Sequence, residues 1–341
     1  MVIGVCGFGY SGSGAVWDML KESPDCKTIG GEKEFTFLYA PDGLDDLRYH
    51  LIQQPARFMA CDIAINRFIS FIQEFDSDGW DKVFFNNLNE YCMDFLEKIV
   101  QVEWDGYWDW DIKKTKSNPI TYCKYRLRRK YNSYAKKHGK KEIPLVKSRK
   151  MYLSINPKEF DDYAKELLRK LLNTSLNDTK KNIVAINQVF PANNTDHFLN
   201  YFDDAKAILV VRDPRDVYIS LKMIQDIGSK WFPHDDVDKF IEYYRILHNQ
   251  VKETEQIIVV RFEDLIYHYE DSRRRIYEFC GLSLDEKEAG KFFSPDISKR
   301  NTMLYLDHDE LKNDIEKIQN ELKEFIYAFD EKIIISHKGA F

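Results

Sequence analysis

The chain has no apolar run approaching the roughly 20 residues needed to cross a bilayer, and no basic stretch precedes its first apolar segment, residues 2–6. A membrane span is therefore excluded, and the start does not read as a signal peptide, so the expected setting is the cytoplasm. Only six cysteines occur: Cys6, Cys26, Cys61, Cys92, Cys123 and Cys280. They form no Cys-x-x-Cys pair and no His/Cys cluster, which leaves a disulfide framework or a zinc site unsupported and free thiols as the expectation. Internal repeats and low-complexity tracts are also missing. What remains is 341 residues, 44% hydrophobic and 31% charged. That is the make-up of a folded globular protein, long enough for one large α/β domain with an embedded subdomain or for two modest ones.

Acidic residues are scarce in one place. Residues 112–150 hold fifteen Lys/Arg against a single acid, Glu142, so this segment carries +14 and the remainder must carry −20 to give the chain's net −6. Aromatics are interleaved with it: Trp104, Tyr107, Trp108 and Trp110 precede it, and Tyr122, Tyr125, Tyr131 and Tyr134 lie within it. Such a segment can stack sugars or bases while holding an anionic group, or be a solvated basic helical face whose tyrosines pack on the core. Nucleic acid is disfavoured as a partner because the rest of the surface is acidic.

The start of the chain has more structure to it. A β-branched run at 2–6 feeds Gly7-Phe-Gly9-Tyr10-Ser11-Gly12-Ser13-Gly14, and an amphipathic helix follows from Ala15. Glycines let a backbone take positive φ and approach a ligand closely. The free N–H groups of the following helix then face an anion, aided by the helix dipole. Ser11 and Ser13 add hydroxyls, and Ser13 also suits the N-cap. The step Gly7-x-x-x-x-Gly12 copies the first part of the nucleotide-triphosphate P-loop, but Ser13 stands where that motif needs lysine. An ordinary ATPase or GTPase is thereby disfavoured.

Further strands are expected at 26–30, 183–187, 207–211 and 256–260, with helices at 160–172, around 195–202 and at 237–251, and a mostly helical stretch from 44 to about 102. This alternation indicates an α/β fold with a mainly parallel sheet. The strand at 207–211 runs into Arg212-Asp213-Pro214-Arg215-Asp216-Val-Tyr-Ile-Ser220. Asp213 suits an N-cap, with Pro214 at the first helical position and Asp216 at the third. Arg212, at the strand's carboxyl end, either offers its planar fork to a phosphate, with Ser220 two turns on completing the shell, or pairs with Asp213 or Asp216 to seal the helix start.

Taken together, these stretches resemble the sulfotransferase family that uses 3′-phosphoadenosine 5′-phosphosulfate (PAPS) as donor, a carbohydrate-type, bacterial-like member. Tyr10-Ser-Gly-Ser-Gly-Ala15 resembles its 5′-phosphosulfate loop, and Arg212 to Ser220 its 3′-phosphate motif with the same eight-residue step. Val260-Arg-Phe-Glu-Asp-Leu265 is similar to its late strand, and Ser298-Lys-Arg-Asn301 to its basic closing loop. The resemblance covers roughly residues 1–37 and 183–305. It implies a P-loop-type parallel sheet flanked by helices with a large helical insertion: a PAPS-binding core at 1–43 and 183–341, and an acceptor-side insertion at 44–182.

By the same resemblance Gly9, Tyr10, Ser11, Gly12, Ser13, Gly14 and Ala15 would hold the 5′-phosphosulfate, Arg212 and Ser220 the 3′-phosphate, and Lys299 and Arg300 would cap the nucleotide. No metal is required, and adenosine 3′,5′-bisphosphate is the product. The family places Lys or Arg where this chain has Tyr10, so Lys33, Lys222 or Lys299 is expected to supply the missing charge. Its histidine base has no counterpart in Asn187-Gln-Val-Phe-Pro191, and His197 follows too late. Glu34, in Lys33-Glu34-Phe35-Thr36-Phe37, is the candidate general base, with Glu32 next. The expected function is transfer of a sulfuryl group to a hydroxyl of a carbohydrate or other small polar acceptor. The partners expected are a small-molecule or glycan acceptor, an anionic glycan suiting the basic segment, with peripheral membrane contact also open. The alternatives are an ATP-dependent kinase-like phosphotransferase and a nucleotide-binding scaffold without chemistry.

Overall fold

The computed structural model describes residues 1–30, 33–53, 58–77, 79, 82, 84, 87–176, 182–223, 232–285 and 289–338. Its strands are β1 (Val2–Gly7), β2 (Cys26–Ile29), β3 (Val102–Gly106), β4 (Arg149–Leu153), β5 (Ile183–Asn187), β6 (Ala205–Val211) and β7 (Ile257–Arg261). Five of them form one all-parallel sheet in the order β2-β5-β1-β6-β7. Helices flank the sheet, so the fold is the mixed α/β architecture that the sequence alternation requires.

Central position explains why β1 is apolar throughout. Ile3 and Val5 point into one core with Val16, Leu20 and Tyr277, whereas Val2 and Cys6 point into the other. Strand β6 divides in the same way, Ile208 and Val210 on one side and Ala207 and Leu209 on the other, as the two-residue side-chain period demands. Gly4 is glycine for steric reasons, because a Cβ there would collide with the ring of Phe190.

The core on the first face is closed by the Ser13–Lys21 and Tyr269–Cys280 helices. The core on the second face is wider. It takes the Phe58–Ser77, Leu88–Ile99 and Phe160–Leu176 helices together with Cys6, Val184 and Leu209 of the sheet. Phe37, Phe68, Phe71 and Phe75 lie ring to ring there, with centroids 6.1 Å apart from Phe37 to each of the other three. The apolar residues of 44–102 and 160–172 thus belong to the same core as the strands. At the sheet's edge, the backbone of Val259 in β7 is satisfied by side chains: its N–H donates to Glu253 (3.0 Å), and its carbonyl accepts from Arg275 (3.1 Å).

The stretch from 102 to 153 departs from the helical reading at its ends. Strands β3 and β4 pair antiparallel across a 42-residue separation, bracketing the Asp109–Ser117 and Pro119–Lys137 helices. Local periodicity does not report a pairing of such long range. One carboxylate roots this arm. Asp62, fully buried in the Phe58–Ser77 helix, accepts from Trp108 Nε1 (2.7 Å), the Arg149 guanidinium (2.7 and 3.2 Å), Asn66 (3.1 Å) and the Tyr152 N–H (2.9 Å). Of the four tyrosines at 122, 125, 131 and 134, Tyr125 alone is buried.

Candidate functional site

The loop after β1 has the backbone its composition calls for. Gly12 takes φ 83° and Tyr10 φ 65°, so two of its residues lie in the left-handed region, which costs a non-glycine residue about 1–2 kcal/mol. Gly12, not Ser13, is the N-cap of the Ser13–Lys21 helix, and Ser13 is its first residue. No side chain caps this helix and no acid lies in its first turn, so its positive end is left to whatever anion approaches. Ser11 folds under the loop, where its Oγ is buried without a partner. A Cβ on Gly9 would strike the Phe232 ring, and one on Gly12 the Phe262 ring. A Cβ on Gly14 would meet no atom within 4 Å. Ala15, half-buried, closes the first turn with its N–H on the Gly12 carbonyl (3.0 Å).

The Arg212 segment resolves its two readings. Arg215, not Arg212, seals the helix start: its backbone N–H, Nε and Nη2 all reach Asp213, at 2.9, 3.0 and 2.8 Å. Arg212 is left for another task. It is 6% exposed and donates from Nη1 to the Tyr10 carbonyl (2.9 Å) and from Nη2 to the Asn301 carbonyl (2.6 Å). Its guanidinium lies 5.3 Å from the centroid of Phe262, the ring beneath Gly12. Its Nε is buried with no partner, and burial lowers its pKa from the usual arginine value. One cation therefore ties the glycine loop to the 299–301 turn. Ser13, Gly14 and Ala15 form the first turn of the helix after Gly12, while Lys299 and Arg300 are exposed on the turn itself.

That turn is pinned from below. Met303 N–H donates to Asp216 (2.8 Å), and Thr302 Oγ1 bonds both the Tyr267 hydroxyl (2.6 Å) and the Lys299 carbonyl (2.7 Å). Asp216 is fully buried. Desolvation first, then the neighbouring Asp213 charge, push its pKa up to about 8. Burial likewise pushes Glu263, which accepts from the Asp213 N–H (2.8 Å), up to about 7. Ser220 uses its hydroxyl inside its own helix, donating to the Asp216 carbonyl (2.8 Å), and not on Arg212. Arg212 and Ser11 line a small crevice under the loop, and Arg212 also borders a cavity of about 570 Å³ walled by Tyr244, His248, Arg261 and Phe325.

The 33–37 segment runs along the carboxyl edge of the sheet, with the Phe35 N–H on the Asn187 carbonyl at the end of β5 (2.9 Å). Glu34 keeps solvent access, yet the protein on its inner side raises its pKa by desolvation. Tyr39 is pushed up by burial and then by Cys6 and Glu34. Glu32 lies outside the described residues. Lys33 Nζ lies beside Gly79, Lys222 Nζ is 5.3 Å from the Tyr218 ring, and Lys299 Nζ is 5.9 Å from the Tyr267 ring. Tyr10 turns its ring onto Phe232, edge to face at 5.8 Å.

Gln188 was not a candidate on sequence grounds. It sits at the end of β5 with φ 55°, and its side-chain amide brackets the Gly7 peptide, Nε2 to the carbonyl (3.3 Å) and Oε1 from the N–H (3.4 Å). A strained non-glycine residue holding the root of the loop is the signature of an over-determined site, legible only once β5 is known to lie beside β1. Among the described residues, no group of three or more His, Cys, Asp or Glu side chains is arranged to hold a metal ion.

A glycine loop, an uncapped helix N-terminus and a buried arginine converge at the carboxyl edge of a parallel α/β sheet, an arrangement whose chemistry suits an anion. The sequence description of the "Sulfotransferase family" matches residues 3–286, and the chain belongs to that family. A search of curated protein sequences gives no match. Among solved structures, the sulfotransferase domain of the Synechococcus PCC 7002 olefin synthase is similar at 15% identity and TM-score 0.39, covering 96% of this chain and 95% of its own. Sulfotransferase STF9 from Mycobacterium avium is similar at 13% identity and TM-score 0.38, covering 97% and 76%.

Proposed function

We propose that the protein is a PAPS-dependent sulfotransferase acting on a hydroxyl of a carbohydrate or similar small polar acceptor. The observation that carries this reading is the Arg212 bridge, which draws the glycine loop and the Lys299–Arg300 turn to one buried cation. The residues suit a nucleotide that is anionic at both its 3′ and its 5′ end. Ser11 Oγ and Arg212 Nε are buried without partners in one crevice, and the adjoining helix N-terminus is uncapped. Gly9 to Ala15 would hold the 5′-phosphosulfate, Arg212 and Ser220 the 3′-phosphate, and Lys299 and Arg300 the rim. Bound there, PAPS supplies an activated sulfuryl group, and adenosine 3′,5′-bisphosphate is released.

The chain's own part is electrostatic and acid–base. The N–H groups after Gly12 stabilise the charge that grows on the leaving side. Glu34, made more basic by desolvation, accepts the acceptor's hydroxyl proton. Lys299 is the proposed stand-in for the loop cation, because its turn is the one tied to Arg212. The setting proposed is the reducing cytoplasm, where the six cysteines would stay free thiols. Tyr10, which packs its ring on Phe232 and supplies no charge, favours one rival, a scaffold that binds nucleotide without chemistry.

The test is release of adenosine 3′,5′-bisphosphate from PAPS with a panel of carbohydrate acceptors, for the native chain and Glu34→Gln. Acceptor-dependent release, lowered about 10²- to 10⁴-fold by Glu34→Gln with bisphosphate affinity unchanged, is expected. Nucleotide binding with no release on any acceptor would select the scaffold.

A further inference from the structure

Among the described residues, no cation of the basic arm bonds to Arg212 or to the glycine loop. The arm is rooted on Asp62, near the start of the Phe58–Ser77 helix. The Phe37 ring, in the segment that carries Glu34, packs on Phe68, Phe71 and Phe75, six to thirteen residues on, about 9–20 Å along the helix axis. Within the arm, the Pro119–Lys137 helix turns Tyr125 and Ala135 inward, with Arg128 and Asn132 half-buried beside them. At 100° per residue the outward side carries Ile120, Cys123, Leu127, Tyr131 and Tyr134, in steps of three and four. They are exposed: Ile120 by 69%, Leu127 by 67%, Tyr134 by 49% and Tyr131 by 40%, with Cys123 an exposed free thiol. Lys124, Arg126, Lys130 and Lys137, all exposed, border this stripe.

We propose that this stripe docks the protein onto a bilayer surface bearing anionic lipid, with the helix lying in the headgroup plane. The inference stands apart from the sulfotransfer reading. Charge decides the partner. Residues 112–150, the main part of the arm, carry +14 while the remainder of the chain carries −20, so an anionic surface attracts this side and repels the others, which fixes orientation as well as affinity. A bilayer also covers Ile120 and Leu127, which a polyanionic glycan would leave in water. A second copy of the helix laid on the first would set the cations that border the stripe against their own likes. Tyr131 and Tyr134, apolar in body and polar at the tip, suit headgroup depth. No helix among the described residues is long and apolar enough to cross a membrane, so the contact is peripheral.

Co-sedimentation of the full chain with vesicles of phosphatidylcholine, with and without phosphatidylglycerol, tests this. The expected result is binding to the anionic vesicles alone, weakened by added salt. The double variant Ile120→Gln/Leu127→Gln, at exposed positions and with helix propensity kept, should weaken it about tenfold or more, with circular dichroism unchanged. Lack of binding to either vesicle overturns the proposal, as does full binding by the double variant, which would leave charge alone as the cause. Heparin capture without vesicle binding overturns it in favour of a polyanion. A dimer seen by light scattering and abolished by the double variant, with no vesicle binding, overturns it in favour of a second copy.

Discussion

The molecule uses positive charge in two opposite ways. At the sheet's carboxyl edge one arginine, 6% exposed, is held by two backbone carbonyls and surrounded by Asp213, Asp216 and Glu263. In the arm, most of the fifteen cations of residues 112–150 that the structure describes stand in solvent around exposed apolar residues. A buried fork of fixed direction suits a small anion of defined shape. A crowd of solvated charges suits a broad surface and is weakened by salt. The contrast teaches that net charge, −6 for the whole chain, describes neither region.

The comparison can be broken most forcefully at Asp62. Replacing it with alanine removes the acceptor shared by the Trp108 indole N–H, the Tyr152 N–H and the Arg149 guanidinium, which keeps the Lys150 carbonyl and Asp111, and the loss is about 1–3 kcal/mol. Urea denaturation should show that loss, while nucleotide affinity of the folded fraction stays unchanged. A parallel fall in affinity would mean that the two regions are not independent.

Gly14→Ala sharpens the other side. The added methyl meets no protein atom within 4 Å and removes a helical glycine, so stability should rise by about 0.5–1 kcal/mol. An anion seated on the helix N-terminus would meet that methyl, and calorimetry should show affinity for adenosine 3′,5′-bisphosphate falling about tenfold. Higher stability with unaltered affinity would remove the anion from this end of the helix.

A further test concerns pH. Asp216 is pushed up to about 8 in the folded chain, and an unfolded aspartate titrates near 4. Between these values the folded state binds more protons, so this group's contribution to stability falls as pH rises. Asp216→Asn, which keeps an acceptor for the Met303 N–H, should flatten the decline between pH 6 and 8, the window below the value of about 8. Guanidinium melts at several pH values would register it, and an unchanged slope would assign the decline to other groups.

Much of the sheet and the loop was legible in the sequence because both are local. The strands at 183–187 and 207–211 and the turn at 7–14 are each specified by neighbours within a few residues. The bridge from Arg212 to Tyr10 and Asn301 spans 202 and 89 residues. The Gln188 grip on Gly7 spans 181. Contacts of that range leave no periodic trace, and the β3–β4 pair was missed for the same reason. Serine suits an N-cap by its side chain, but the left-handed Gly12 takes that position ahead of Ser13. The family resemblance located Arg212, and only geometry showed Arg215 relieving it of the structural task.

The central claim is that Arg212 distinguishes a nucleotide carrying a 3′-phosphate from one without. Titration calorimetry of the native chain against adenosine 3′,5′-bisphosphate, AMP and ATP, repeated on Arg212→Ala and Arg212→Lys, tests it most directly. The account predicts that the bisphosphate binds about 10- to 100-fold tighter than AMP, the strength of one charge-assisted contact. That advantage should vanish in Arg212→Ala and shrink in Arg212→Lys. Equal affinity of the native chain for the bisphosphate and AMP would contradict it.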